Sequence, residues 1–569
     1  MSLQPMIVGT RYMIVAGHYL ATEAGHAVLQ AGGNAIDAGV AAGIALSVVQ
    51  SEQVQFAGVA PMVIHLADRG ETLTITGLGW WPSAAKPERF TDGAIPMGIL
   101  RTVVPAAPDA WILALERYGT MCFADVASAA VRYAREGFPA YPMAVHLIAK
   151  HAEYYRQWSQ NAAIYLPNGE PPREGQLFVQ SDLGCTIQFM IDEEKAASPK
   201  GRKAGLAAAR DAFYRGDLAV AMAAYHREHD GWLTLKDLAD YHSDIEPAIG
   251  VSFHDIEVMG CGPWCQGPVL LQMLKLLEGF DLRALGHNSS QYIHVVTEAM
   301  KLCFADRDRY YGDPRFVDVP IDALLSPEYA TARRREIDRG RAYPEMPAAG
   351  NVVAGKHIAG HKLRPDRLPD DDELPRDTSY VGVVDRQGNV FSASPSDVSW
   401  ESPIIPGLGI CPSSRGSQSW AQPNHPASVL PGKRPRLTPS PAIAMQQGKL
   451  LMPFGAPGGD LQPQAMLQVF LNHVVFGMSV QEAVEAPRFM THSFPGSFEP
   501  HPYYPRRLDI EADIGTSTGD ALSALGHDVT WLPERSINTG GVCAIVADRQ
   551  AGLLCGGSDP RRSGRAMGW

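Results

Sequence analysis

Eight cysteines, eighteen histidines and a scatter of serines and threonines are the groups through which this chain could do nucleophilic or metal chemistry. Most are spaced against it. Cys261 and Cys265 are separated by Gly-Pro-Trp, one residue more than a CxxC redox pair, and the other six thiols supply no second pair; buried free thiols are expected. His361 and His425 have no neighbouring carboxylate–serine setting for a triad, and no His/Cys spacing assembles a zinc site. Asp306-Arg307-Asp308-Arg309 reads as a solvated or ion-paired helix face. Gly458-Gly459 is a turn able to bring bare backbone N–H groups to a ligand, and Thr378 opens a strand-like run directly after a charged linker. Neither is diagnostic alone, since threonine is a common strand residue.

These residues need elements to position them. Leu20–Gln30 has helical apolar spacing and ends on Gly32-Gly33, which suits the left-handed conformation on which helices stop. Asn34 restarts a helix, with Asp37 three residues on as a weak capping box. That second helix is apolar nearly all round, so it is expected to be buried, and its Ala and Gly residues allow close approach. Helical pattern continues through 104–138 and 205–245, and Tyr292–Tyr310 predicts a long helix. Residues 361–377, HKLRPDRLPDDDELPRD, are charged, Pro-rich and poor in large apolar side chains, and predict a mobile surface segment within a break spanning about 345–377. Strand–turn–strand texture follows at once, in SYVGVVD, RQGN and VFSAS, and again around QQGK at 442–454. Helices, a hinge and then hairpins predict an α+β chain in two parts.

Composition excludes several classes. The formal net charge is −12 with no Lys/Arg stripe, which argues against nucleic acid. The most apolar stretch, 39–49, is too short to span a bilayer, and the N-terminal residues lack a secretion-signal pattern; a cytoplasmic protein with no membrane partner is the expectation.

Six blocks, in order along the chain, carry a resemblance: 17–49 (GHYLATEAGHAVLQAGGNAIDAGVAAGIALSVV), 291–314 (QYIHVVTEAMKLCFADRDRYYGDP), 376–394 (RDTSYVGVVDRQGNVFSAS), 431–443 (PGKRPRLTPSPAI), 454–472 (FGAPGGDLQPQAMLQVFLN) and 485–489 (EAPRF). Together they resemble the γ-glutamyltransferase family, closest to its acylase- and amidohydrolase-like branch, where an "NRG" motif corresponds to Ser414-Arg415-Gly416 here. The resemblance implies a four-layer αββα N-terminal-nucleophile hydrolase that cuts itself between Asp377 and Thr378. It implies a large part, 1–377, and a small part, 378–569, that stay associated as one intertwined unit, with homo-oligomerisation open. Thr378 then supplies both the nucleophile and, through its freed α-amine of pKa ~7.7–8.0, the base. Ser379 is a rival only if the cut falls one bond later. Ser396 matches the family's second threonine, Gly458-Gly459 its oxyanion loop, and Thr438 lies near its carboxylate-binding serines, with Leu437 in the other place. His18 and Glu23 match a structural helix start. No cofactor or metal is implied.

Departures from the family pattern bear on substrate. The stretch Thr76–Pro82 carries no arginine where γ-glutamyl enzymes hold the donor α-carboxylate, and Gln418 stands near the position of the acid that holds the α-amine. A helpful asparagine is replaced by Val398 or displaced to Asp397. A neutral Gln418 cannot neutralise an ammonium, whereas Arg415 could pin a carboxylate bidentately. Trp80, Trp81, Trp400 and Trp420 either wall the pocket or fill the core. The expected reaction is hydrolysis of a small carboxylated amide, not glutathione, through an acyl-threonine. The alternatives are γ-glutamyl hydrolysis or transfer with a rewired pocket, and a silent binding relative.

Overall fold

A computed structural model of the chain describes residues 2–90, 93–352 and 378–569. Asp377, His361 and most of the charged linker therefore lie outside the described residues.

Two seven-stranded antiparallel sheets lie face to face between layers of helices, giving an αββα sandwich. In spatial order the first sheet is Arg565–Gly568, Met13–Ala16, Val381–Val384, Val390–Ala393, Met62–Leu66, Glu71–Ile75 and Ile245–Pro247. The second is Ile7–Gly9, Leu553–Ser558, Cys543–Asp548, Lys449–Gly455, Ala442–Gln446, Ile256–Gly260 and Ile249–Phe253. Each sheet draws strands from both sides of residue 378, and the strand that follows Thr378 sits in the middle of the first.

Because successive side chains of a strand face opposite ways, a strand buried on both faces must be apolar throughout. Val381 and Val383 point to the helices, while Val384 and Val390 join Met13, Val15, Val63, Ile443 and Ile545 between the sheets. The helices Tyr19–Gln30, Ala35–Val49 and Phe123–Glu136 cover the first sheet, and Gly267–Leu277, Ser290–Tyr310 and Gln462–Val474 cover the second. Every residue of Ala35–Val49 is buried, and its small residues have a reason. A Cβ on Gly39 would come within 2.1 Å of the Phe391 ring, and one on Gly43 within 2.5 Å of Trp111. The expected capping box is present: the Asn34 side chain accepts from the N–H groups of Ile36 and Asp37, and the Asp37 carboxylate accepts from the Asn34 N–H.

Of the two readings of the Asp306–Arg309 run, solvated or ion-paired, the second holds: Asp306, Arg307 and Asp308 are buried inside a 21-residue helix, with Arg333 3.5 Å from Asp306 and Asp460 paired with Arg307. All eight thiols are free; six are buried, Cys122 is half-buried and Cys185 is exposed. Among the described residues no helix is long and apolar enough to cross a membrane.

Candidate active site

Hairpin register brings Thr378 to Ser396. The strands Val381–Val384 and Val390–Ala393 pair Val381 with Ala393, and the same register carried three residues outward pairs Thr378 with Ser396. Their hydroxyl oxygens are 2.8 Å apart, and Thr378 is only 1% exposed. Ser396 is fixed from its other side, exchanging backbone hydrogen bonds with Val59 (3.0 and 3.2 Å). Gly58 makes room for this, since a Cβ there would lie 2.4 Å from the Ser396 carbonyl oxygen. Ser379 faces elsewhere and is already committed: its hydroxyl donates to Gln50 Oε1 at 2.6 Å.

Two glutamines knit the remaining parts to this pair. Gln462 opens the Gln462–Val474 helix, donates from Nε2 to Thr378 Oγ1 at 3.1 Å, and accepts the Ser440 N–H on Oε1 at 3.3 Å. Gln266 donates from one nitrogen to the carbonyls of Thr438 (3.0 Å) and Gly459 (2.8 Å). Gly458 and Gly459 both have positive φ, +115° and +56°, and turn the chain into that helix N-terminus, where unpaired N–H groups favour negative charge. Gln418 Nε2 donates to Thr438 Oγ1 at 2.7 Å, so these two form one buried pair.

Arg415 reaches the same place. Its Nη2 donates to Ser396 Oγ, its Nε lies 3.8 Å from Asp397 Oδ2, and the guanidinium sits over the Phe498 ring. Asp397 is held at φ +126° and accepts from the hydroxyls of Ser413 (2.6 Å) and Ser414 (2.7 Å). Burial pushes the Asp397 carboxyl above the usual range, while Arg415 and the two serines pull it back. Gly416 must be small, because a side chain there would strike the Arg101 carbonyl and the Trp81 ring.

The structure thus gathers Thr378, Ser396, Arg415, Gln418, Thr438 and the Gly458-Gly459 turn. It does not gather the tryptophans into one wall. Trp81 packs with Phe90 and Trp232 in a separate core, Trp400 stacks on His151 at 3.9 Å, and Trp420 is sandwiched between His425 and His501. Half-buried Trp80 lies beneath Arg315. His425 does meet a carboxylate, Asp308 at 3.4 Å, within that stack. His18 caps the Tyr19–Gln30 helix. Gln462 and Gln266 are the members that sequence reading gave no role. The only local signals were that Gln462 lies three residues after Gly459 and that Gln266 follows Cys265.

One group of metal-type ligands occurs among the described residues, His294, Glu298 and His527, away from this cluster. Its electrostatic needs are already met. His294 Nδ1 faces His527 Nε2 at 2.9 Å, and Lys301 places its ammonium 2.7 Å from Glu298, where a metal cation would be repelled.

The chain from residue 21 to 569 matches the family model described as gamma-glutamyltranspeptidase. It is 32% identical to the acylase ACY 1 proenzyme of Pseudomonas sp. (strain SE83), across 98% of this chain and 93% of that one. It is 29% identical to the oxamate amidohydrolase proenzyme of Klebsiella pneumoniae subsp. pneumoniae, across 99% of both. Among solved structures, the cephalosporin acylase from Bacillus halodurans superposes with a TM-score of 0.85 at 27% identity, covering 100% of this chain and 98% of that one.

Proposed function

This chain belongs to the gamma-glutamyltranspeptidase family of hydrolases, and on that premise we propose that it is a self-processing amidohydrolase acting on a small carboxylated amide through an acyl-threonine. The observation that carries the reading is the Thr378 hydroxyl, buried between the Ser396 hydroxyl and the Gln462 amide at the start of a strand. Cleavage of the Asp377–Thr378 bond gives 1–377 and 378–569, and leaves an amine on the same residue as that hydroxyl. The amine takes the hydroxyl proton, Oγ1 attacks the substrate carbonyl, and the protonated amine passes its proton to the leaving nitrogen. Water then releases the acyl group with the amine again acting as base. The N–H groups of the Gly458-Gly459 turn receive the oxyanion, a role that needs donors fixed in advance in a dry site.

On the acyl side, Arg415, Gln418 and Thr438 contact the substrate, and Gln418 gives no charge to an α-ammonium. A carboxylated donor without an α-amine fits this wall better than a γ-glutamyl group. The acylase and oxamate amidohydrolase names of two relatives are in keeping with such donors. A panel of carboxylated amides and γ-glutamyl p-nitroanilide, followed by mass spectrometry, tests the proposal. Faster turnover of the simple carboxylated amides is expected; efficient γ-glutamyl release with no turnover of the others would overturn it.

A further inference from the structure

A turn made of two glycines is by itself a poor device for aiming hydrogen-bond donors, because glycine peptides rotate at little steric cost. In the Gly458-Gly459 turn both carbonyls are held. Leu461 donates its N–H to the Gly458 carbonyl at 2.9 Å, and Gln266 donates from Nε2 to the Gly459 carbonyl at 2.8 Å. In a trans peptide the N–H points opposite to the carbonyl of the same plane. Each bond therefore also sets the direction of the N–H that follows, that of Gly459 in the first case and of Asp460 in the second.

The first bond is local to the turn. The second comes from a residue 193 positions away, and the surroundings of Gln266 leave it little choice. Its side chain is buried, and its amide has one workable orientation. Oε1 faces Nη1 of Arg307 at 3.0 Å, a group that only donates, while Nε2 faces two carbonyls, which only accept. Its backbone N–H is tied to the Leu437 carbonyl at 3.0 Å. Arg307 in turn pairs with Asp460, the residue after Gly459, and lies between the Phe304 and Phe494 rings. The contacts close a circuit: Gln266 to Gly459, along the chain to Asp460, across to Arg307 and back to Gln266. The same Nε2 holds the Thr438 carbonyl at 3.0 Å, so the turn and the wall that carries Thr438 and Gln418 share one anchor.

We infer that Gln266 is the positioning residue of the oxyanion turn. It locks the Gly459–Asp460 peptide so that the N–H groups of the turn stay aimed before the reaction begins, which is what makes such donors effective. The inference rests on the proposed amidohydrolase reading and adds a residue that acts on the reaction through the turn rather than through the substrate.

Gln266→Glu on the processed enzyme is the decisive change. It keeps the length and the acceptor for Arg307 but has no donor for the two carbonyls. On the best amide of the panel kcat should fall ~10²-fold, as for a lost oxyanion donor, with KM little changed. Two readouts separate aiming from mere support of the fold. The first compares 3-boronopropanoic acid, whose boron adds to the threonine oxygen and puts an oxyanion in the turn, with succinate, which has the same length and stays planar. Gln266→Glu should weaken the boronic acid by about the factor lost from kcat and leave succinate unchanged. The second is the crystal structure of the variant, in which the Gly459 carbonyl should have turned away from position 266. If Gln266→Glu cannot be purified, Gln266→Met, of the same length and without a donor, decides by the same readouts. Unchanged kcat, equal losses for the boronic acid and succinate, or a Gly459 carbonyl that stays in place while kcat falls would each overturn the inference. Wild type that does not prefer the boronic acid to succinate would sink it together with the oxyanion turn. Wild type that shows the preference, loses it with Gln266 and yet hydrolyses no amide would count against the amidohydrolase reading alone.

Discussion

The hydroxyls of Thr378 and Ser396 meet at 2.8 Å because a hairpin with an uninterrupted register ends in both of them. Ser396 therefore acts as a fixed neighbour of Thr378, and its missing methyl relative to threonine is tolerable because backbone bonds to Val59 hold it in place. Self-cleavage is the first expected outcome. Purified protein should resolve into two fragments, one about twice the other, corresponding to 1–377 and 378–569. Thr378→Ala should stay whole and inactive. Ser396→Ala should slow cleavage about tenfold, the worth of one hydrogen bond to the reacting hydroxyl, and Ser396→Thr should restore it. Denaturing electrophoresis over time reads all three; a fully active enzyme that stays whole would end the mechanism.

Gly459 sits at φ +56° and Gly458 at +115°, so the turn is in the left-handed region before any side chain is considered. Asparagine tolerates that region and a β-branched residue does not. If the turn presents backbone N–H groups to the oxyanion, Gly459→Asn should keep kcat within about tenfold, whereas Gly459→Val should lose ~10²–10³. Matching losses from the two substitutions, at matching melting temperatures, would move the oxyanion site elsewhere.

Gln462 does two things with one amide, donating to Thr378 and accepting from the Ser440 N–H. Gln462→Leu leaves that buried N–H unpaired, at a cost of about 1–3 kcal/mol, and also frees the Thr378 hydroxyl. Both stability and turnover should fall. Gln462→Glu retains the acceptor but loses the donor, so its stability should recover more than its kcat. Chemical denaturation alongside steady-state kinetics separates the two roles.

What could be read from the residues alone was what lies within a few residues along the chain. Asn34 and Asp37 are three apart, and their reciprocal cap was legible. The strand–turn–strand of 379–394 was legible for the same reason, whereas the partnership of Thr378 and Ser396 was implied only by the family resemblance. Gln266 and Gly459 are 193 residues apart, and nothing local in the Gly-Pro-Trp motif pointed to a carbonyl so distant. Whether the Asp306–Arg309 run is solvated or ion-paired could not be decided locally, because only the tertiary packing of Phe494 and Asp460 around Arg307 makes it interior.

Acid should destabilise the protein earlier than its carboxylates alone would, because four histidines are buried in the neutral form. Burial holds His18 and His226 down to about 3, His501 to about 4 and His527 to about 2. In the unfolded chain each returns to about 6.5. Below that value the unfolded state binds more protons than the folded one, so stability rises with pH up to about 6.5 and is lost as pH falls, until the folded values are reached. Each histidine contributes up to about 1.4 kcal/mol per pH unit in that window. His226 isolates the effect, since neither of its ring nitrogens has a partner and its removal breaks no hydrogen bond. His226→Leu should therefore be close to wild type in stability at pH 7. Between pH 6 and 4 its unfolding free energy should fall more gently, by one histidine's share. Urea titrations at pH 7, 6, 5 and 4 measure both slopes, and parallel lines for the two proteins would show that His226 is protonated in the folded state after all.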